Sequence, residues 1–321
     1  MVEISDKLRD KLNNIPALPG VYRMLDINRN IIYIGKSKCL KNRVRSYFTG
    51  KHKWKKVEKM VSYIDDIIYT VTDTHLEARL LECELIKSIK PMFNTQFKND
   101  EKYAFIKVED YNIYNPLKVV YHREENTYGP FRRKFSLVEM INSFKNIYPI
   151  VKTDKWYDFE YKLFPPAMDK EDFEINKESL IGILSDDKNL MLLVDKMEEK
   201  MREAASLLQF ETASTYRDMI YDLNYLKGGI YGYKNMLSKN ILLKIPTPHG
   251  IKLFFIFKGE VILKENYLNP ADKDVKAFIY RAKNLIPFIN KNIDEKVSMD
   301  FRDILYSEIR ALSEEMVVIL E

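Results

Sequence analysis

The chain has 321 residues, 52 Lys and Arg against 47 Asp and Glu, and 46% hydrophobic content, enough for two or three folded domains and too apolar for general disorder. Apolar runs such as Leu190–Val194 and Leu253–Phe257 are far shorter than the roughly 18 residues of a bilayer span. The opening Met1-Val2-Glu3-Ile4-Ser5-Asp6 lacks the basic start and apolar core of a secretory signal, so no membrane partner and a cytoplasmic location are expected. Two cysteines, Cys39 and Cys83, exclude a disulfide framework, a four-thiolate zinc site and an iron–sulfur cluster, which leaves oxygen as the metal ligand.

Charge is uneven. Residues 1–100 carry 19 basic and 12 acidic side chains, the remainder 33 and 35. Lys36 to Lys59 holds ten Lys or Arg and one acid, Glu58, interleaved with Tyr47, Phe48 and Trp54. Nucleic-acid surfaces have this make-up, and so do solvated helix faces.

In chain order, a short helix to Asn14 is followed by the turn Leu18-Pro19-Gly20 and a strand, Val21–Leu25. Turn residues Asp26–Asn30 lead to a second strand, Ile31–Ile34, ended by Gly35, which predicts an antiparallel hairpin. Leu40, Val44 and Phe48 repeat four apart, predicting an amphipathic helix with Arg43 and Tyr47 along its edge. Ile67–Val71 reads as a third strand. Thr74-His75-Leu76-Glu77 has the form of a capping box, and the helix it starts is stopped by Pro91. At about 100° per residue, Ala78, Ile86 and Ile89 lie within roughly 40° of Glu82, so a carboxylate points at the core. Burying it unpaired is costly, and its partner is expected to be a cation, an Arg such as Arg43, or a divalent metal. His75 and His52 read as a helix-start residue and a solvated loop residue.

Further along come strand-like pieces Tyr103–Val108 and Leu117–Tyr121, a turn at Tyr128-Gly129-Pro130 and a helix from Ser136 to Ile147. Lys152–Glu178 shows no sustained period and reads as a linker. Helices Leu190–Leu208 and Glu211–Tyr225 follow, broken at Gln209-Phe210 and closed by Gly228-Gly229. The first carries a stripe of Leu193, Met197, Met201, Ala204, Ala205 and Leu208, to be covered by a partner hairpin or by the chain's own neighbouring domain. Strands Ile241–Ile245, Lys252–Phe257 and Val261–Lys264 precede helices Asp272–Leu285 and Asp300–Leu320.

Gly20-Val21-Tyr22, then Tyr33-Ile34-Gly35, Lys36, Arg43, Tyr47, Glu82 and Asn94 in order resemble the signature of the GIY-YIG nuclease superfamily. Pro19–Met24, Ile32–Lys38, Arg43–Phe48, Glu77–Pro91, Tyr128–Phe131 and Tyr148–Ile150 resemble its UvrC branch. Met201–Ile220, with Leu208-Gln209-Phe210-Glu211 and Arg217-Asp218, resembles the UVR hairpin by which UvrC contacts UvrB, although Ser214 and Tyr216 depart from its usual residues.

The resemblance implies an α+β multidomain protein. Residues 1–98 would be a GIY-YIG domain with a three-stranded antiparallel sheet flanked by helices, 99–185 a connector, 186–229 the UVR hairpin and 230–321 a C-terminal α/β section. It implies a DNA endonuclease with one Mg²⁺ or Mn²⁺ on Glu82, a single carboxylate suiting the reluctantly dehydrated Mg²⁺. Tyr33 or Tyr22 would be the general base, Lys36 would lower a phenol's pKa, Arg43 and Tyr47 would hold the phosphate, and Asn94 would orient Glu82 or the helix end. DNA would run over Lys38, Lys41, Arg45, Lys51, Lys53, Lys55 and Lys56. A UvrB-like helicase would meet Met201, Ala205, Leu208, Phe210, Glu211 and Arg217. The cysteines that hold iron and sulfur in UvrC are absent from Val151–Leu190, and neither an RNase H-like lobe nor helix-hairpin-helix modules follow, so one incision, on the 3′ side of a lesion, is expected. The alternatives are a free-standing GIY-YIG nuclease of a mobile element or defence system, and a non-catalytic DNA-binding adaptor.

Overall fold

A computed structural model describes residues 5–49, 54–99, 103–110, 114–288 and 295–320. The chain divides into two compact units, residues 1–100 with 235–321, and residues 101–234. In chain order the first unit begins with α1 (Asp6–Asn14), β1 (Gly20–Leu25), β2 (Ile31–Ser37), α2 (Leu40–Arg45), α3 (Lys55–Ser62), β3 (Asp66–Val71) and α4 (His75–Ile89). The second holds β4 (Ala104–Val108), β5 (Leu117–Val120), β6 (Thr127–Phe131), α5 (Lys134–Phe144), β7 (Val151–Lys152), β8 (Tyr157–Asp158), α6 (Lys170–Ser185), α7 (Asp187–Ser206) and α8 (Phe210–Tyr231). After α9 (Lys234–Ser238) come β9 (Asn240–Thr247), β10 (Gly250–Phe257), β11 (Glu260–Tyr267), α10 (Asp272–Leu285), α11 (Glu295–Ala311) and β12 (Val317–Leu320).

The first sheet is antiparallel in the order β2-β1-β3. Tyr22 lies opposite Gly35 and Met24 opposite Tyr33, so Tyr22, Tyr33 and Gly35 share one face of the hairpin. That face packs Leu40, Val44, Tyr47 and Phe48 from α2 and the turn after it. The other carries Val21 and Ile34 against Ala78 and Ile86 of α4. Gly35 does not end β2, which continues to Ser37. It is glycine because the Tyr22 phenol lies on it: a Cβ would fall 2.3 Å from the Tyr22 hydroxyl and 2.5 Å from its Cζ. Gly35→Ala is therefore expected to displace a buried ring and destabilise the protein by about 1–3 kcal/mol. Urea unfolding together with near-ultraviolet tyrosine dichroism would register both changes, and an unaltered dichroism would contradict the contact.

Helix α4 is capped as the sequence predicts: the Thr74 hydroxyl accepts from the Glu77 N–H while the Glu77 carboxylate accepts from the Thr74 N–H. Glu84, Ser88 and Ile89 stay exposed, while part of its remaining surface packs against the C-terminal section. There the sheet order is β11-β10-β9-β12, with Leu242, Leu253 and Phe255 packed on Phe278 and Ala282 of α10. Phe254 and Ile256 are also fully buried, so β10 is covered on both faces. Lys252, which alternates with the α10-facing residues, reaches Asp73 Oδ2 at 2.5 Å and Glu77 Oε1 at 2.7 Å, and Lys264 reaches Glu77 Oε1 at 2.9 Å. Arg79 donates to Glu308 Oε2 at 2.9 Å and Ser307 Oγ at 2.6 Å, and Lys87 pairs with Asp300 at 2.8 Å, both from α11. The expected helix Asp300–Leu320 is corrected at both ends, because α11 starts at Glu295 and stops at Ala311, and Val317–Leu320 pairs instead with β9.

In the second unit, the sheet β5-β4-β6 and helices α5 to α8 enclose one core. The segment Lys152–Glu178 contributes Tyr157, Phe159, Met168 and Phe173 to it, so the expected linker is packed structure. Its apolar residues lack period because they come from a short strand, loops and the first turns of α6 rather than from one helix. Gly228-Gly229 does not close α8, which runs to Tyr231. A Cβ on Gly229 would lie 2.4 Å from Phe131 Cε1, so the glycine serves close packing of β6 on the helix. Among the described residues no helix is long and apolar enough to cross a membrane.

Candidate active site

Three phenols meet on the inner face of the hairpin. Ring centroids stand 6.2 Å apart for Tyr22 and Tyr33, 6.0 Å for Tyr22 and Tyr47, and 6.2 Å for Tyr33 and Tyr47. The Tyr22 and Tyr47 hydroxyls share a 2.9 Å hydrogen bond. Tyr22 and Tyr47 are 1% and 6% exposed, and Tyr33 is only half-buried, which makes it the most accessible phenol of the three. The Arg43 guanidinium lies 5.0 Å from the Tyr47 ring centroid, on the solvent side of the group.

Glu82 comes from two turns into α4. Ala78 and Ile86 beside it are buried as predicted, while Ile89, the last residue of the helix, is 40% exposed. The partner of its carboxylate is neither Arg43 nor another side chain: Oε1 accepts the backbone N–H of Lys36 at 3.0 Å. Burial raises the Glu82 carboxyl pKa despite that bond and the charges of Lys36, Arg79 and Arg43. Its second oxygen takes no hydrogen bond from a described residue.

The phenols depart from expectation. Burial raises the pKa of Tyr22 and of Tyr33, followed by Tyr47 in both cases, and Glu82 adds to the rise at Tyr33. Arg43, not Lys36, is the cation that lowers both. The reason is direction: the Lys36 side chain leaves the opposite face of β2 from Tyr33 and runs to His75, whose Nε2 is 3.0 Å from Lys36 Nζ.

Asn94 is buried but does not orient Glu82. Its Oδ1 accepts from Ile34 N at 2.9 Å and its Nδ2 donates to Ile34 O at 2.8 Å, clamping β2 between Tyr33 and Gly35. Arg45 is likewise occupied structurally, donating to Leu12 O at 3.2 Å and Asn13 Oδ1 at 2.9 Å, which ties α2 to α1. Lys38, Lys55 and Lys56 are exposed and Lys41 is half-buried. Lys51, Lys53 and His52 lie outside the described residues.

The stripe on α7 is divided. Leu193, Met197 and Ala204 sit in the core of their own unit with Met201 against it, so Met201 is not a free contact residue. Leu207, Leu208 and Phe210 at the hairpin tip are 62%, 73% and 64% exposed, with Ala205, Glu211 and Arg217 exposed nearby. Tyr216 is buried against Tyr161 and Phe159, which explains its departure from the expected pattern.

Among the described residues no group of three or more His, Cys, Asp or Glu is arranged to hold a metal. His75 is the site neighbour that sequence reasoning missed. It stands seven residues before Glu82, two helical turns away on the same face, and that spacing was the available signal.

Residues 18–95 match the UvrC-like GIY-YIG domain and residues 192–224 the UvrB/UvrC motif. UvrABC system protein C of Desulfitobacterium hafniense is 32% identical over 279 residues, covering 82% of this chain and 45% of its own length. The protein of the same name from Streptococcus mutans is 31% identical over 320 residues, covering 91% and 53%. The chain thus spans about half the length of the curated relatives it matches. The crystal structure of the GIY-YIG N-terminal endonuclease domain of UvrC from Thermotoga maritima, bound to its catalytic divalent cation, magnesium, aligns at 36% identity with 29% of this chain and 100% of its own, with a TM-score of 0.27. This chain carries a UvrC-like GIY-YIG domain at residues 18–95 and, at residues 192–224, a UvrB/UvrC motif.

Proposed function

We propose that this chain is a metal-dependent DNA endonuclease that hydrolyses a phosphodiester bond in its GIY-YIG lobe, making the 3′-side incision of nucleotide excision repair with a UvrB-like helicase docked on the hairpin tip. The observation that carries the reading is the cluster of three phenols and Arg43 on one face of the hairpin, with Glu82 of α4, which packs on the other face, anchored on the Lys36 N–H and near enough to Tyr33 to raise its pKa.

Hydrolysis needs a positioned water, an acceptor for its proton and positive charge against the phosphorane oxygens. Tyr33, the most accessible of the three phenols, would be the acceptor as its phenolate; burial, Tyr47 and the Glu82 charge raise its pKa, and a divalent ion on Glu82 would offset that charge. Tyr22 and Tyr47 then fix the acceptor's position. Arg43 presents a planar donor fork to the phosphate and favours the phenolate of Tyr33. Lys36 adds a second cation, and Asn94 acts at one remove by holding β2 in place.

A single divalent ion, Mg²⁺ or Mn²⁺, fits Glu82. The carboxylate is half-buried and has one oxygen anchored by a backbone N–H and the other without a described partner, a single hard oxygen ligand of the kind Mg²⁺ takes while keeping most of its waters. Such an ion would supply Lewis-acid stabilisation of phosphate oxygens. Lys38, Lys41, Lys55 and Lys56 support a path for the DNA backbone, and Leu208 and Phe210 offer the apolar anchor a partner hairpin would cover.

The test is metal removal. With Mg²⁺ the protein, alone or with UvrA- and UvrB-like subunits, is expected to nick a lesion-bearing duplex 3′ to the lesion, and a chelator is expected to stop cutting completely. Cutting that persists in chelator would exclude the metal. A cut mapped to the 5′ side would exclude the assigned incision.

A further inference from the structure

His75 was expected to be no more than the first residue of a helix, yet its ring meets the side chain of Lys36. Nε2 is 3.0 Å from Lys36 Nζ, within hydrogen-bond reach. An ammonium has three donors and no acceptor, so in this contact the imidazole accepts, and its proton sits on Nδ1. Burial, then the charges of Lys36, Lys38 and Arg79, push the His75 pKa down to about 4, which keeps the ring an acceptor at neutral pH.

Helix α4 therefore grips the same residue twice. Glu82 takes the Lys36 backbone N–H, and His75, two turns earlier on the same face, takes the Lys36 side chain. The neighbourhood is set by Arg79, itself held by Glu308 and Ser307, so the cation that would otherwise compete for Glu82 is tied outward. A free lysine side chain samples many rotamers, and ordering it costs conformational entropy. An acceptor built into the helix that carries Glu82 makes that ordering part of the fold.

We propose that His75 is a positioning residue, whose unprotonated Nε2 holds the Lys36 ammonium on the face of α4 that carries Glu82, so that it meets the DNA phosphate already in place. The proposal rests on the nuclease reading above and deepens it.

The test compares nicking kinetics of wild type, His75→Ala, His75→Gln, Lys36→Ala and the double variant Lys36→Ala/His75→Ala, all at one Mg²⁺ concentration. His75→Ala is expected to lower kcat by roughly 10- to 100-fold, the scale of a displaced catalytic group, with KM little changed. His75→Gln restores an acceptor and is expected to recover most of the loss. In the Lys36→Ala background His75→Ala is expected to change nothing further, the signature of two residues acting through one contact. Long-range ¹⁵N correlation spectra of the intact protein give a readout independent of activity: Nε2 of His75 should be unprotonated, and that preference should weaken in Lys36→Ala. Equal rates for His75→Ala and wild type, additive losses in the cycle, or a protonated Nε2 would each overturn the proposal. Wild-type protein that nicks no DNA would instead remove the nuclease reading, and the ¹⁵N spectra would then decide the contact by themselves.

Discussion

Glu82→Gln is expected to abolish nicking while leaving the protein at least as stable as the wild type. The amide keeps an oxygen that can accept the Lys36 N–H, so the tie between α4 and β2 survives. What is lost is the negative charge that would hold a divalent ion. Lewis-acid stabilisation is worth several kcal/mol, and each 1.4 kcal/mol is tenfold in rate, so a fall of about 10³-fold or more is expected. Stability moves the other way. Burial raises the Glu82 carboxyl pKa in the folded state, so the folded protein prefers the protonated form and loses stability as pH rises through that value. A neutral amide escapes this penalty at neutral pH. Plasmid nicking and thermal unfolding on the same preparation check both signs. Retained cutting would remove Glu82 from the chemistry, and a markedly lowered Tm would make it a structural residue.

Lys252→Ala is expected to be the most damaging substitution on the far side of α4. Lys252 and Glu77 are 8% and 7% exposed, and removing one partner of a buried pair leaves a charge without compensation, a loss of about 3–5 kcal/mol. Lys264 still reaches Glu77, which places the expected value near the lower end, about 3 kcal/mol. The loss should depend on pH. At Glu77 burial alone would raise the pKa, but hydrogen bonds from Lys252 and Lys264 outweigh it and hold the carboxyl below its usual range. At Asp73 hydrogen bonds from Lys252 and Asn266 lower it. A depressed carboxyl pKa stabilises the fold above the unfolded value and ceases to do so as pH falls through the folded one. The gap between wild type and Lys252→Ala should therefore be full at pH 7 and shrink as the carboxyls protonate below about pH 4. Urea unfolding at the two pH values measures it. A gap under about 1 kcal/mol at pH 7, the worth of an exposed pair, would show that the C-terminal section does not brace α4.

Both predictions act on one helix, which explains how residues 235–320 bear on a site they do not enter. One face of α4 meets the hairpin with Ala78, Glu82 and Ile86, and the rest is tied down at Asp73, Glu77, Arg79 and Lys87. A catalytic carboxylate must be held closely in place, and a helix supported from two sides moves less than one lying on a three-stranded sheet.

Sequence alone was sufficient wherever the signal was short in range. Alternation of apolar residues predicts the Tyr22 and Tyr33 strands, the Thr74–Glu77 spacing predicts the start of α4, and the helical period turns Glu82 inward, because each depends on backbone geometry within a few residues. Tertiary structure alone decided the rest. Register placed Tyr22 on Gly35, carried β2 past its glycine and brought Tyr33 onto the same face. Packing raised the pKa of Tyr22 and Tyr33, gave Arg43 rather than Lys36 influence over those two, and sent Lys36 to His75. Residues some 180 positions away supplied the cations for Glu77 and Asp73, and β9 drew Val317–Leu320 out of a helix. Burial, desolvation and strand pairing are properties of contacts between distant segments, and a linear pattern records which residues can make such contacts without recording which of them meet.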